Sequence, residues 1–119
     1  MTENEEKVLT IIMSAMSDNY LIQFLYDGKN IIVEPFIVGE LYSKYHNHLV
    51  EGIYALRAWF IDGYSSEKLD LKEGGRWRIY ELDKMSDLII LNQKILKMRP
   101  LYNPHDGSFK RMNMWMEGN

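Results

Sequence analysis

The sequence predicts an α+β, mainly β fold: an N-terminal helix set on a small, partly open β-barrel of five strands. Three observations predict it. Helical periodicity is confined to the first segment, about residues 4–17. From Tyr20 to about residue 92 the apolar residues come in short blocks rich in β-branched and aromatic side chains. Gly, Pro, Asn and Asp punctuate those blocks at turn-forming positions. A chain of 119 residues has room for one modest core and reads as a single domain, 1–119, with a C-terminal extension over 93–119.

In the helix, Val8, Ile11, Ile12 and Ala15 fall at the spacing of one buried face. Thr2 and Glu5 are spaced as a capping box, and Glu5 and Glu6 suit the positive end of the helix dipole. "SDN" at 17–19 ends the helix.

The first strand is "YLIQFLY" and the second "IIVEPFIVGELY". Asp27-Gly28 between them predicts a hairpin, because a primed turn needs positive φ. Pro35 has no N–H to donate, so it marks an edge or a bend in the second strand. "HLVEGIYALRAW" is a third strand with Gly52 as a kink that helps a barrel curve. The polar stretch "FIDGYSSEKLDLKEGG" predicts a long mobile connection. "RWRIYEL" is the fourth strand and "SDLIIL", after a tight "DKM" turn, the fifth. Asn103-Pro104 and Asp106-Gly107 are turn signals in the C-terminal extension.

Composition excludes several function classes. With 14 basic against 17 acidic residues, the net charge is −3, which argues against wholesale phosphate binding. With no recognition helix either, specific duplex DNA binding by this chain alone is not expected. The absence of cysteine excludes disulfides and thiolate metal sites and fits a reducing cytoplasm. No apolar run approaches the ~18 residues needed to span a bilayer. The acidic start "MTENEEK" has no signal-peptide character, so the expected location is cytoplasmic.

The motif richest in chemistry is "GGRWRIYELDKM". Alternation puts Trp77 and Ile79 on one strand face, with Trp77 expected in the core, and Arg76, Arg78 and Tyr80 on the other. That second face has two readings. It is an anion site in which guanidiniums grip and a tyrosine stacks, or a solvated face whose arginines pair with Glu67, Asp70 and Glu73. "HNH" at 46–48, with Glu51 and His105, offers metal-ligand chemistry on paper, but a polar strand entrance explains it better and no metal is expected. Glu34 and Glu51 lie on apolar strands, where a carboxylate is expected to partner an arginine or a backbone amide. No nucleophile elbow, zinc-protease helix or phosphate-cradling glycine loop is present, so the sequence does not read as an enzyme. Met112 to Met116, "MNMWM", either packs back on the barrel or, if exposed, forms a homodimer surface.

Four stretches, "IIMSAMSDNYLIQFLYDG", "IIVEPFIVG", "GGRWRIYELDKMSDLIIL" and "RPLYNPHDGSFKRM", resemble the WYL domain family in order and spacing. The likeness is to its compact stand-alone members, in which an arginine-aromatic strand leads into a Leu-Asp-basic-apolar turn. Here that passage is Arg78, Tyr80, Leu82, Asp83, Lys84 and Met85. The Trp-Tyr-Leu triplet that names the family is replaced by "HLVEGIYAL", and the helix-turn-helix often fused to the domain in bacterial transcription factors is missing. The resemblance implies an Sm-like barrel and a non-enzymatic ligand-sensing or regulatory role without a cofactor. Its suspected ligands are an anionic small molecule such as a nucleotide, or single-stranded nucleic acid. The expected pocket is Arg76, Arg78, Tyr80 and Lys84, with Tyr26, Glu51, Tyr54 and Arg57 as neighbours. The alternative is a protein–protein interaction or dimerisation module that takes no small ligand.

Overall fold

Helix α1, Glu3–Ser17, begins with the capping box the sequence predicts. Thr2 Oγ1 accepts the Glu5 amide at 3.1 Å, and Glu5 Oε1 accepts the Thr2 amide at 3.0 Å. The computed structural model describes residues 1–42, 52–63, 77–94 and 99–117. Val8, Leu9, Ile12, Ala15 and Met16 form the buried stripe of α1 and pack on the sheet beneath it. No helix among the described residues is long and apolar enough to cross a membrane.

Strands β1, Tyr20–Tyr26, and β2, Lys29–Leu41, are joined by the expected two-residue hairpin. Asp27 and Gly28 have φ of 52° and 74°, the pair of positive values a type I′ turn requires. Strand β3, Tyr54–Gly63, pairs with β2, and β4, Trp77–Glu81, pairs with β3. A three-residue 3-10 turn, Leu82–Lys84, leads into β5, Met85–Lys94, which returns to β1. All of these pairings are antiparallel.

Two features correct the expected architecture. The described residues contain six strands, because Phe109–Trp115 forms β6 and pairs with β2. The sheet is also open rather than closed into a barrel: its order is β4-β3-β2-β1-β5, with β6 off that path and no pairing between β4 and β5. At the point where closure would begin, the Glu81 amide donates to Tyr26 Oη at 3.0 Å instead of to a strand. The buried Leu82 then turns the chain toward α1, which packs against the 3-10 turn and β5.

Strand β2 is the spine of the sheet. One of its edges pairs with β3 from Ile31 to Glu40, while the other meets β1 up to Val33 and β6 from Ile37. Pro35 falls at this hand-over, beside a register shift against β3, so its missing N–H sits where the ladder is already irregular. Pro35 therefore marks a bend, as expected, but in a central strand rather than at an edge. Gly39 permits the close approach of β6: a Cβ there would lie 2.1 Å from the Arg111 carbonyl oxygen.

The sheet buries apolar side chains on both faces. The helix-side core gathers Phe24, Val33, Leu56, Ala58, Tyr80 and Leu82 beneath α1. On the opposite face Phe36, Ile37, Leu41, Ala55 and Phe109 form a second cluster, joined by the half-buried Trp59, Trp77 and Tyr102. Strand β3 shows why both faces are filled: Leu56, Ala58 and Phe60 alternate with Ala55, Arg57 and Trp59.

Candidate functional site

The second face carries a cleft of about 220 Å³ lined by Arg57, Trp77, Leu101, Tyr102, Asn103 and Asp106. Strand alternation sets two of its walls. Arg57 lies one residue from Ala58 and two from Trp59, so it projects on the face away from α1. Trp77 faces the same way from β4, opposite Trp59 in register, with the two indoles edge-to-face at 5.3 Å. The remaining wall comes from the segment 99–108, which crosses this face before β6.

That segment is fastened at several points. Arg99 pairs with Glu34, a carboxylate buried on β2, and its guanidinium lies 5.4 Å from the Trp59 ring. Trp77 Nε1 donates to the Pro100 carbonyl at 2.7 Å. Leu101 takes a φ of 62° and stands 74% exposed at the rim. Tyr102 stacks on Trp77, with the rings 5.6 Å apart and inclined by 27°. Arg57 Nε donates to Asp106 Oδ2 at 2.9 Å. The turn is braced from within, since Asp106 Oδ1 accepts the Ser108 amide and Asn103 Oδ1 accepts the His105 amide, each at 2.9 Å.

The electrostatics follow from these contacts. Burial alone would push the Asp106 carboxyl up. The Ser108 amide and the Arg57 guanidinium outweigh that and hold it below its ordinary value. Burial pushes the Tyr102 hydroxyl up to about 12, and the hydroxyl donates to the Met116 carbonyl. At neutral pH the described lining of the cleft therefore holds one guanidinium, one carboxylate and a neutral phenol.

The expected pocket residues are divided between the two faces. Tyr80 is 7% exposed and belongs to the helix-side core, where its ring meets Phe24 at 5.2 Å and Tyr26 at 5.1 Å, both edge-to-face. This corrects the expectation of an open Arg-Tyr face: the alternation is right, but the face bearing Tyr80 is the one α1 covers. Tyr54 packs against the same core. Tyr26 accepts the Glu81 amide, and burial raises its pKa. Lys84 pairs with Glu81 at 3.0 Å, and that contact raises its pKa. Arg78 is half-buried and donates from Nη1 to the Trp77 carbonyl at 2.8 Å. Of the expected pocket residues that are described, Arg57 is the one that lines the cleft.

Trp77 also departs from its expected place, since it is half-buried at the cleft instead of enclosed in the core. Arg76, Glu51, His46, His48 and the acidic loop residues Glu67, Asp70 and Glu73 lie outside the described residues. Among the described residues no group of three or more His, Cys, Asp and Glu side chains could hold a metal. Sequence reasoning missed Tyr102, Asn103 and Asp106 as site residues because "YNPHDG" read only as turn chemistry. The available signal was an aromatic residue beside two Asx turns in one short connection.

No protein-family model matches the sequence, and no curated protein or solved structure matches it either.

Proposed function

We propose that this chain is a non-enzymatic, WYL-like ligand-binding or regulatory module, an opened Sm-like layout that takes a nucleotide or a unit of single-stranded nucleic acid in the cytoplasm. The observation that carries this reading is the cleft, where a guanidinium, a carboxylate and two aromatic rings converge on one face of the sheet. Planar ligands with polar edges are bound by such combinations of stacking and charge-assisted hydrogen bonds. A binding role also suits the titration of the site. General acid–base catalysis works best with a group poised near the operating pH, whereas Asp106 is held low and Tyr102 is pushed up to about 12.

The test is a thermal-shift and tryptophan-fluorescence screen of the full chain against nucleotides and short oligonucleotides, repeated with Arg57→Ala. Stabilisation that is lost in the variant supports the reading. No response to any member of the panel refutes it.

A second reading, an interaction or dimerisation module without a small ligand, is favoured by Ile89, Ile90 and Trp115, which are 49%, 40% and 46% exposed. A tight dimer on size exclusion, combined with no ligand response, would select it.

A further inference from the structure

We propose that the Arg57–Asp106 pair reads the hydrogen-bonding edge of a nucleobase seated in the cleft, and that any phosphate on the ligand stays outside. The inference rests on the ligand-binding reading above and goes further by naming the group that is recognised.

Charge is the first argument. Among the described residues the cleft is lined by one cationic and one anionic side chain, 2.9 Å apart, so the pair presents no net charge to a ligand. An entering phosphate would gain from Arg57 but meet Asp106 beside it. Of the other expected cations that are described, neither lines the cleft: Arg78 donates to the Trp77 carbonyl and Lys84 pairs with Glu81.

Hydrogen-bonding capacity is the second. Among the described residues Arg57 donates only through Nε, one of the five N–H groups of a guanidinium. Asp106 accepts Arg57 on one oxygen and the Ser108 amide on the other, and the Ser108 side chain bonds it too, which leaves about one of a carboxylate's roughly four lone-pair sites. Donors and acceptors thus stand side by side. A nucleobase edge carries the same two kinds of group side by side, whereas a phosphate carries acceptors alone.

Shape and rigidity agree. Trp77 and Tyr102 supply an aromatic wall. A cleft of about 220 Å³ falls below the ~300–1,000 Å³ typical of pockets for drug-sized ligands, which suits one ring system better than a whole nucleotide. Asp106 is fixed from both sides by Arg57 and Ser108, so little side-chain freedom is lost on binding.

The experiment is calorimetric titration of the full chain with adenosine, guanosine, cytidine, uridine and their 5′-monophosphates, at about 50 and about 300 mM salt. The expected result is that at least one nucleoside binds within about threefold of its monophosphate, with little change between the two salts. Asp106→Asn, which exchanges an acceptor oxygen for a donor, is expected to reorder the four nucleosides. A short homo-oligonucleotide of the preferred base separates the two sources of that base. Tighter binding than the nucleoside assigns the base to a strand, and weaker binding assigns it to a free nucleoside; either keeps the base as the recognised group. Monophosphates or inorganic phosphate binding more than about threefold tighter than every nucleoside, and weakening steeply with salt, would overturn the inference while leaving ligand binding intact. An unchanged ranking in Asp106→Asn would also overturn it. Silence from nucleosides and monophosphates alike would remove both this inference and the reading beneath it.

Discussion

Replacing Arg99 with methionine tests whether the segment over the second face is anchored by charge. Glu34 is 1% exposed on the central strand, opposite Trp59 in register, and Arg99 meets it there with its side chain 24% exposed. Removing one partner of a buried ion pair typically costs ~3–5 kcal/mol, because the other charge is left in a poor solvent. Two features lower the figure here. Water reaches Arg99 from one side, and Glu34 has a further interaction of its own. Methionine keeps much of the apolar stem but loses the cation over Trp59, a contribution of ~0.5–1 kcal/mol. The expected loss is about 2–3 kcal/mol, or a fall in Tm of roughly 6–18 °C for a domain of this size. Glu34→Gln is expected to cost about 1–2 kcal/mol. In the double variant Glu34→Gln/Arg99→Met no charge is left stranded, so the losses should fall short of additive by at least about 1 kcal/mol. Urea melts of the four proteins complete the cycle. A loss below about 0.5 kcal/mol in Arg99→Met, or additivity within about 0.3 kcal/mol, would show that the pair does not anchor the segment.

Gly39→Ala should push β6 away, since its Cβ would meet the Arg111 carbonyl oxygen at 2.1 Å and Met112 Cα at 2.8 Å. We expect a loss of at least ~1–3 kcal/mol and faster amide exchange along 109–115, and unchanged exchange would contradict the close approach. Tyr80→Ala should cost ~3–5 kcal/mol as a buried aromatic, while Arg78→Ala should stay within about 0.5 kcal/mol; equal losses in urea melts would disprove the division between them. For pH, the Asp106 carboxyl is held below its ordinary 3.8 in the fold. Its contribution is therefore present above that value and is lost as pH falls through the lower folded value. Acid melts of Asp106→Asn should converge on those of the parent as pH falls through that lower value, and a gap that widens in acid would reverse the assignment.

The helix was legible because its signals are local: the Thr2–Glu5 box and the spacing of Val8, Ile12 and Ala15 all act within one or two turns, although Ile11, expected on the same face, is only partly buried and Leu9 and Met16 complete the stripe instead. Asp27-Gly28 was equally legible, since a two-residue hairpin depends only on its own φ angles. The alternation of Trp77, Arg78, Ile79 and Tyr80 was read correctly, yet its meaning was not. Both faces of the sheet are covered, so alternation could not say which face held the deeper core. Strand β6 escaped because "MNMWM" was weighed as surface or packing, although Met112, Met114 and Met116 repeat with the period of a strand. The cleft depended on contacts such as Arg57 with Asp106, 49 residues apart, which no local pattern encodes.

The hand-over along β2 also sets an order of assembly. Strands β1 and β2 meet through a two-residue turn, so their half of the edge can close early and at small entropic cost. The other half waits for β6, which pairs Leu41 with Phe109 across a much longer loop. The segment 99–108, which supplies four of the described lining residues of the cleft, runs directly into β6. The same step is the natural one to reverse. The fully buried residues of the helix-side core come from α1, the 3-10 turn and β1 to β5, with the half-buried Met114 of β6 packed against them. Release of β6 would free the C-terminal end of the segment 99–108, so the shape of the candidate cleft and the docking of β6 are coupled.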